Sequence, residues 1–354
     1  MKKSIILLLI IAAIACRQRS TKEEPTTISG IYSKEDSALA ISAKMFFKVL
    51  PKQANQSDNQ VTDAKVKLGQ VLFYDTRLSK TGNNSCNSCH NLSTYGVDNV
   101  STSKGDAGLS GQRNSPTVFN AALHNMQFWD GRAATIEEQA GMPILNAGEM
   151  AIPHKGFLVT RLHKDTAYHK LFTSAFPGEP EPVSFANVRN AIGAFERTLL
   201  TPSRFDKFMA GDITALYPEE KAGLKAFIDA GCVACHNGVG IGGGSLQQFG
   251  IYTDYRTLTH SRLNDKGRFK VTGDKADKNV FKVPGLRNVE KTYPYFHDGS
   301  IANLDSSVMI MAKAQLNKTL TGDEVKNIVA FLKTLTGDIR EDAKKMPDEL
   351  KGIK

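Results

Sequence analysis

Residues 85–91 (SCNSCHN) and 231–237 (GCVACHN) carry the same chemistry. Cys86 and Cys89 are followed at once by His90, and Cys232 and Cys235 by His236. Paired thiols with an adjacent imidazole suit a structural metal, a redox dithiol or a covalently anchored cofactor. Structural zinc pairs usually lie much closer in sequence, and zinc gives no reason for a histidine directly behind each pair. A redox dithiol belongs in a βαβ setting, which the local patterns lack. A c-type haem accounts for every residue, because both thiols add to its vinyl groups and the next imidazole is carried beneath the iron. Two covalent haems c are therefore expected.

The remaining ligand of each iron decides its use. A second strong protein ligand favours electron transfer, whereas an open position admits peroxide or dioxygen. Met309 and Met311 are candidates beside the second haem, although a lone methionine is usually core filler. The chain also repeats itself. Residues 116–120 (PTVFN) and 128–131 (FWDG) match 284–288 (PGLRN) and 296–299 (FHDG) in one gapless register, which Ile136 and Leu304 continue. Such self-similarity marks a duplicated unit. The register sets Pro143 where Met311 stands, and proline cannot ligate iron. One haem capped by methionine and one left open is the expectation; His124 and Met142, the rival caps on the first, read as packing residues. The same register pairs Trp129 with His297.

The elements that must hold these groups read as helices. Apolar spacing predicts one over residues 63–74, one opened by Pro218 and closed near Gly231, one over 184–199, and one opened by a Thr321/Glu324 capping box. Period-two runs are scarce, and Gly- and Asn-rich loops such as 237–250 join the helices. With 41% apolar and 23% charged residues, the chain has the side chains for a globular core. Its formal charge of +9 comes without a basic stripe interleaved with aromatics, which excludes nucleic acid as a partner. Lys2 and Lys3 precede an apolar run, residues 5–15, that is shorter than the roughly 18 residues of a membrane span, so it reads as an export signal. Cys16 closes that run and is the one cysteine outside the two motifs. It is the expected lipid attachment point and the only membrane contact; ordinary signal cleavage is the alternative.

From about residue 64 to 337 the chain resembles the bacterial dihaem cytochrome c peroxidases, on segments such as LGQVLFYDTRLS, GQRNSPTVFNAALHNMQFWDGRA, FKVPGLRNVEKTYPYFHDG and VKNIVAFLKTLTGD. The resemblance implies a mainly α fold: two cytochrome c-like haem domains related by internal duplication, with long loops. The expected bounds are 1–16 signal, 17–38 tether, 39–202 first haem domain, 203–343 second haem domain and 344–354 tail. It implies that His90 is the proximal ligand of an N-terminal peroxidatic haem, and that His236 and Met311 ligate a high-potential C-terminal haem. Trp129 would lie between them, Glu149 and Gln139 would border the peroxide pocket, and Asn114 with the carbonyls of Thr292 and Pro294 would bind calcium. The implied reaction is reduction of hydrogen peroxide to water in the periplasm, with electrons from a small donor protein, a cytochrome c or cupredoxin. A homodimer is left open.

One departure stands out. Many members carry a histidine in the loop after the first haem motif, which caps the resting iron. Here that position is Asp106, expected to stay hydrated and to leave the iron open. Two competing readings remain. A MauG-type oxidase of a partner protein would have tyrosine in place of the methionine ligand, and Tyr293 and Tyr295 are near in sequence. A pure electron-transfer cytochrome would need both irons capped.

Overall fold

The structure, a computed structural model, describes residues 33–54 and 58–352. Cys16, the export signal and all but the end of the tether lie outside the described residues. The first helices are α1 (Lys34–Phe46), α2 (Asp63–Tyr74), the short α3 (Cys86–Cys89), α4 (Ile136–Leu145), α5 (Lys155–His163), α6 (Thr166–Ala175) and α7 (Phe185–Glu196). They are followed by α8 (Arg204–Met209), α9 (Pro218–Ala230), α10 (Tyr255–Thr259), α11 (Phe269–Thr272), α12 (Leu304–Leu316), α13 (Gly322–Lys333) and α14 (Glu341–Lys344). Among the described residues one sheet forms, in which β1 (Leu246–Gln248) runs antiparallel to β2 (Val280–Lys282).

The ends of these helices have local causes. Thr62 caps α2 and Ser184 caps α7 through their side chains, Pro218 starts α9, and Thr321 with Glu324 closes a capping box on α13. The helix expected over 184–199 stops at Glu196. Beyond it the Leu199 carbonyl accepts from Asn120 N instead of continuing the helix.

Two cores result. In the first, α2 crosses α7 with Leu68, Leu72, Phe73, Ile192 and Phe195 buried between them. In the second, α9 crosses α13 with Leu224, Phe227, Ile328, Phe331 and Leu332 inward. Both crossings turn on a glycine. A Cβ on Gly69 would stand 1.9 Å from the Ala191 carbonyl oxygen, and one on Gly223 would stand 1.8 Å from that of Asn327. Only a bare Cα lets the backbones approach that closely.

The duplicated segments repeat in backbone detail. Asn120 and Asn288 are left-handed at φ 62° and 63°, Phe128 and Phe296 at 64° and 70°. The two copies meet at Thr201, whose hydroxyl accepts from Asn120 Nδ2 at 2.8 Å and Asn288 Nδ2 at 3.0 Å. Packing crosses the expected bounds at both ends of the chain. Ala43 and Phe47, from α1 and the residue after it, are buried in the second core, while Ala343 and Leu350 pack on the first.

Candidate active site

Cys86 and Cys89 form one helical turn, capped reciprocally by Ser85 and Ser88, with His90 at its end. In the second half, Gly231 ends α9 in the left-handed conformation at φ 92°, and the turn Cys232–Ala234 follows directly. All four thiols are unpaired. Burial pushes the Cys86 thiol far up and Cys232 to about 11, so neither is a free reactive thiolate. Among the described residues no group closes a hydrogen bond on Nδ1 of His90 or His236. The imidazoles are nonetheless placed alike: burial lowers both, and the backbones of Gly96 and Pro116 or of Ile241 and Pro284 oppose that shift. Pro116 and Pro284 are equivalent positions of the repeat.

Each motif opens on its own cavity. The first, of about 610 Å³, is bordered by Cys86, Cys89 and His90 together with Gln139, Pro143 and Glu149. The second, of about 200 Å³, is bordered by Cys232, Cys235, His236 and Met311. Trp129 borders both. Unpaired thiols, a buried histidine with an unpartnered Nδ1 and a cavity beside them fit a c-type haem in each half. Met309 is exposed and outside the second cavity, so of the two methionines Met311 alone faces the His236 site. Its repeat equivalent, Pro143, stands in the first cavity as the register requires.

Glu149 is half-buried at the turn after α4, with Asn146 Nδ2 donating to its Oε1 at 2.8 Å. Burial raises its carboxyl above the ordinary range, although Arg132 and Asn146 pull the other way. It is therefore no solvated helix-end carboxylate. Trp129 Nε1 donates to the Asn114 carbonyl at 2.9 Å, and its ring stands edge-on to His297 with centroids 6.4 Å apart. Asn114 Nδ2 donates to the Val100 carbonyl at 2.9 Å. Asn114, Thr292 and Pro294 border one cavity, and no cluster of three or more acidic, histidine or cysteine side chains competes for a metal among the described residues.

The structure corrects the reading of Asp106. Its carboxylate is buried, not hydrated, and accepts from Thr81 N and Thr81 Oγ1 at 2.8 Å each and from Asn83 N at 3.3 Å. Burial alone would raise its pKa, but the bonds from Ser79, Thr81 and Asn83 prevail and hold it below the usual range. Asp106 N donates to the Glu149 carbonyl at 2.6 Å, and a Cβ on Gly105 would stand 2.1 Å from the Gly148 carbonyl oxygen. The loop is docked on the turn that carries Glu149.

His124 sits against Gly243 and Gly285, where a Cβ would fall 2.8 Å and 2.6 Å from its Nε2. That packing holds the ring against backbone, in keeping with a packing role. Met142 is exposed, and Tyr293 is half-exposed, whereas Tyr295 is buried in the second core. Sequence reasoning missed two buried groups beside the cavities. Glu196 borders the first, pushed up to about 8 by burial and by Glu137. Lys282 borders both. Glu196 lies in no motif, and Lys282, although inside the FKVPGLRN segment, carries no sequence signal of its burial; only the fold shows both beside the cavities.

A family model described as di-haem cytochrome c peroxidase matches residues 63–214, and one described as cytochrome c matches residues 220–336. The chain is 49% identical to a cytochrome c551 peroxidase of Nitrosomonas europaea over 77% of this chain and 80% of that protein. It is 46% identical to one of Pseudomonas aeruginosa over 85% and 87%. A methylamine utilization protein MauG of Methylophilus methylotrophus is 32% identical over 82% and 88%. Among solved structures, a MauG-like protein associated with microbial copper homeostasis superposes with a TM-score of 0.75 at 31% identity, covering 85% of this chain and 97% of that one.

Proposed function

The chain belongs to the di-haem cytochrome c peroxidase family, and from that premise we propose how its residues divide the reaction. It reduces hydrogen peroxide to water: two electrons and two protons cleave the O–O bond and yield two waters. Haem c bound at each motif would supply the iron, with peroxide chemistry at the first site and electron relay at the second. His90 would hold the first iron, and His236 with Met311 would hold the second. Glu149 takes the proton from the inner peroxide oxygen and returns it to the outer one, so that water departs rather than hydroxide. Gln139 cannot exchange a proton at neutral pH and positions peroxide by hydrogen bonding. Trp129 couples the two sites. Electrons arrive at the second site from a small cytochrome c or cupredoxin in the periplasm.

The observation that carries this reading is the asymmetry of equivalent positions, with Met311 at one cavity and Pro143 at the other. Asp106, tied to Thr81 and Asn83, is not free to cap the first iron. The fully oxidised enzyme should then react with peroxide before any electron donor is added. Stopped-flow mixing should give an immediate Soret change; a spectrum that stays still until a donor is present overturns the open-site assignment. A MauG-type oxidase is the weaker reading, because the more similar relatives are named peroxidases and Met311 occupies the second site. Two further assignments belong to this proposal. Asn114 Oδ1 with the Thr292 and Pro294 carbonyls offers hard oxygen donors suited to calcium, and dialysed protein retaining no calcium would remove that ion. Cys16 carries lipid, which labelled fatty acid absent from wild-type protein would refute.

A further inference from the structure

Lys282 ends β2, where its backbone N donates to the Trp129 carbonyl at 2.6 Å. Its side chain is buried at 5% exposure and borders both cavities. The polar contact it makes is to His124 Nδ1, 3.3 Å from Nζ, and no carboxylate comes within ion-pair distance of it among the described residues. Neighbouring cations have acid partners: Arg113 pairs with Asp130 and Asp265, Arg132 with Asp130, and Lys270 with Asp265. Desolvation lowers Lys282 to about 8, and it pushes His124 well below its ordinary value, with the ammonium adding to that shift. An isolated buried charge costs several kcal/mol unless an opposite charge meets it. The protein offers none here, yet each haem brings two propionate carboxylates into these cavities.

We propose that Lys282, with His124 packed beside it, receives a propionate of the haem held by His90, at the junction of the two cavities next to Trp129. The choice of haem follows from His124, which borders the first cavity and not the second. The inference rests on the reading that both cavities hold haem c. Paired in this way, the ammonium stays protonated and the carboxylate ionised. Lys282 is then a positioning residue: it fixes one haem edge beside Trp129 and, as a nearby cation, favours the reduced iron, which carries one positive charge fewer.

The test is redox titration of the holoenzyme in wild type, Lys282→Met and Lys282→Arg, with covalent haem counted by mass in each. In Lys282→Met the ferric/ferrous equilibrium of the His90 haem should move at least tenfold toward ferric, about 59 mV for a one-electron couple. The His236 haem should move less, and Lys282→Arg should stay within a few-fold of wild type. An unchanged equilibrium in Lys282→Met with both haems attached overturns the pairing. Wild-type protein lacking covalent haem would instead refute the underlying haem reading. Should Lys282→Met not accumulate, the redox-difference infrared spectrum of Lys282→Arg decides. A displaced propionate carboxylate stretch relative to wild type supports the pairing, and an unmoved one overturns it.

Discussion

The turn that carries Glu149 folds back on Pro143. Proline has no N–H to return to the Gln139 carbonyl, and α4 ends within two residues of it. The freed chain turns back on the Pro143 carbonyl, which accepts from both Asn146 N and Met150 N, and the turn sets Glu149 at the first cavity. Glu149→Gln keeps the shape but loses the proton carrier, so turnover should fall by about 100- to 10,000-fold with haem content unchanged; turnover within a few-fold of wild type would make Glu149 a bystander. Because the carboxylate form must accept the first proton, kcat/KM should decline as pH drops through a pKa above the usual carboxylate range. Met311→Ala should lower the potential of the His236 haem while both haems stay attached, since a thioether ligand raises it. The exposed Met309 provides the control, and Met309→Ala should leave the potential unchanged. At this scale the sequence was readable wherever a motif or the repeat marked a position. Asp106 and Lys282 were not readable, because burial and partners from distant segments set their character.

The helices themselves were largely legible. The expected helix over 63–74 matches α2, and the expected starts at Pro218 and after Thr321 match α9 and α13. Capping residues and apolar spacing are local signals, and these helices obey them. The glycines at the crossings were not legible. Inside a helix a glycine reads as a weakness of about 1 kcal/mol relative to alanine, and its use appears only once the partner helix, far along the chain, is laid across it. Gly223→Ala would otherwise be a helix-favouring change. Here it must part α9 from α13, where the second core is built. A loss of about 1–3 kcal/mol is expected from overpacking, read as a lower midpoint in denaturant with the haems attached; equal or greater stability would mean that the crossing relaxes freely. Gly69, at the α2–α7 crossing, should behave alike.

Across the whole molecule, each core borrows from the opposite end of the chain. The last residues strap α2: Tyr74 donates to the Ala343 carbonyl at 2.8 Å, Gln70 to the Asp342 carbonyl at 2.8 Å, and Lys67 pairs with Glu349 at 2.7 Å. Removing residues 340–354 should therefore loosen the first half, remote from it in sequence, by about 2 kcal/mol from lost burial and hydrogen bonds. Limited proteolysis should then cut first near α2, and a first half as resistant as before would show that the strap carries no load. Nothing in the local patterns at either terminus announces this exchange, because it depends on which surface each end meets. The exchange also sets an order of events during synthesis. The ribosome releases α1 long before the helices it packs against exist, and the half that bears His90 emerges early but receives its strap last. The half that bears His90 is thus the first to be made and the last to be finished, and a chain interrupted before residue 340 lacks the strap across α2.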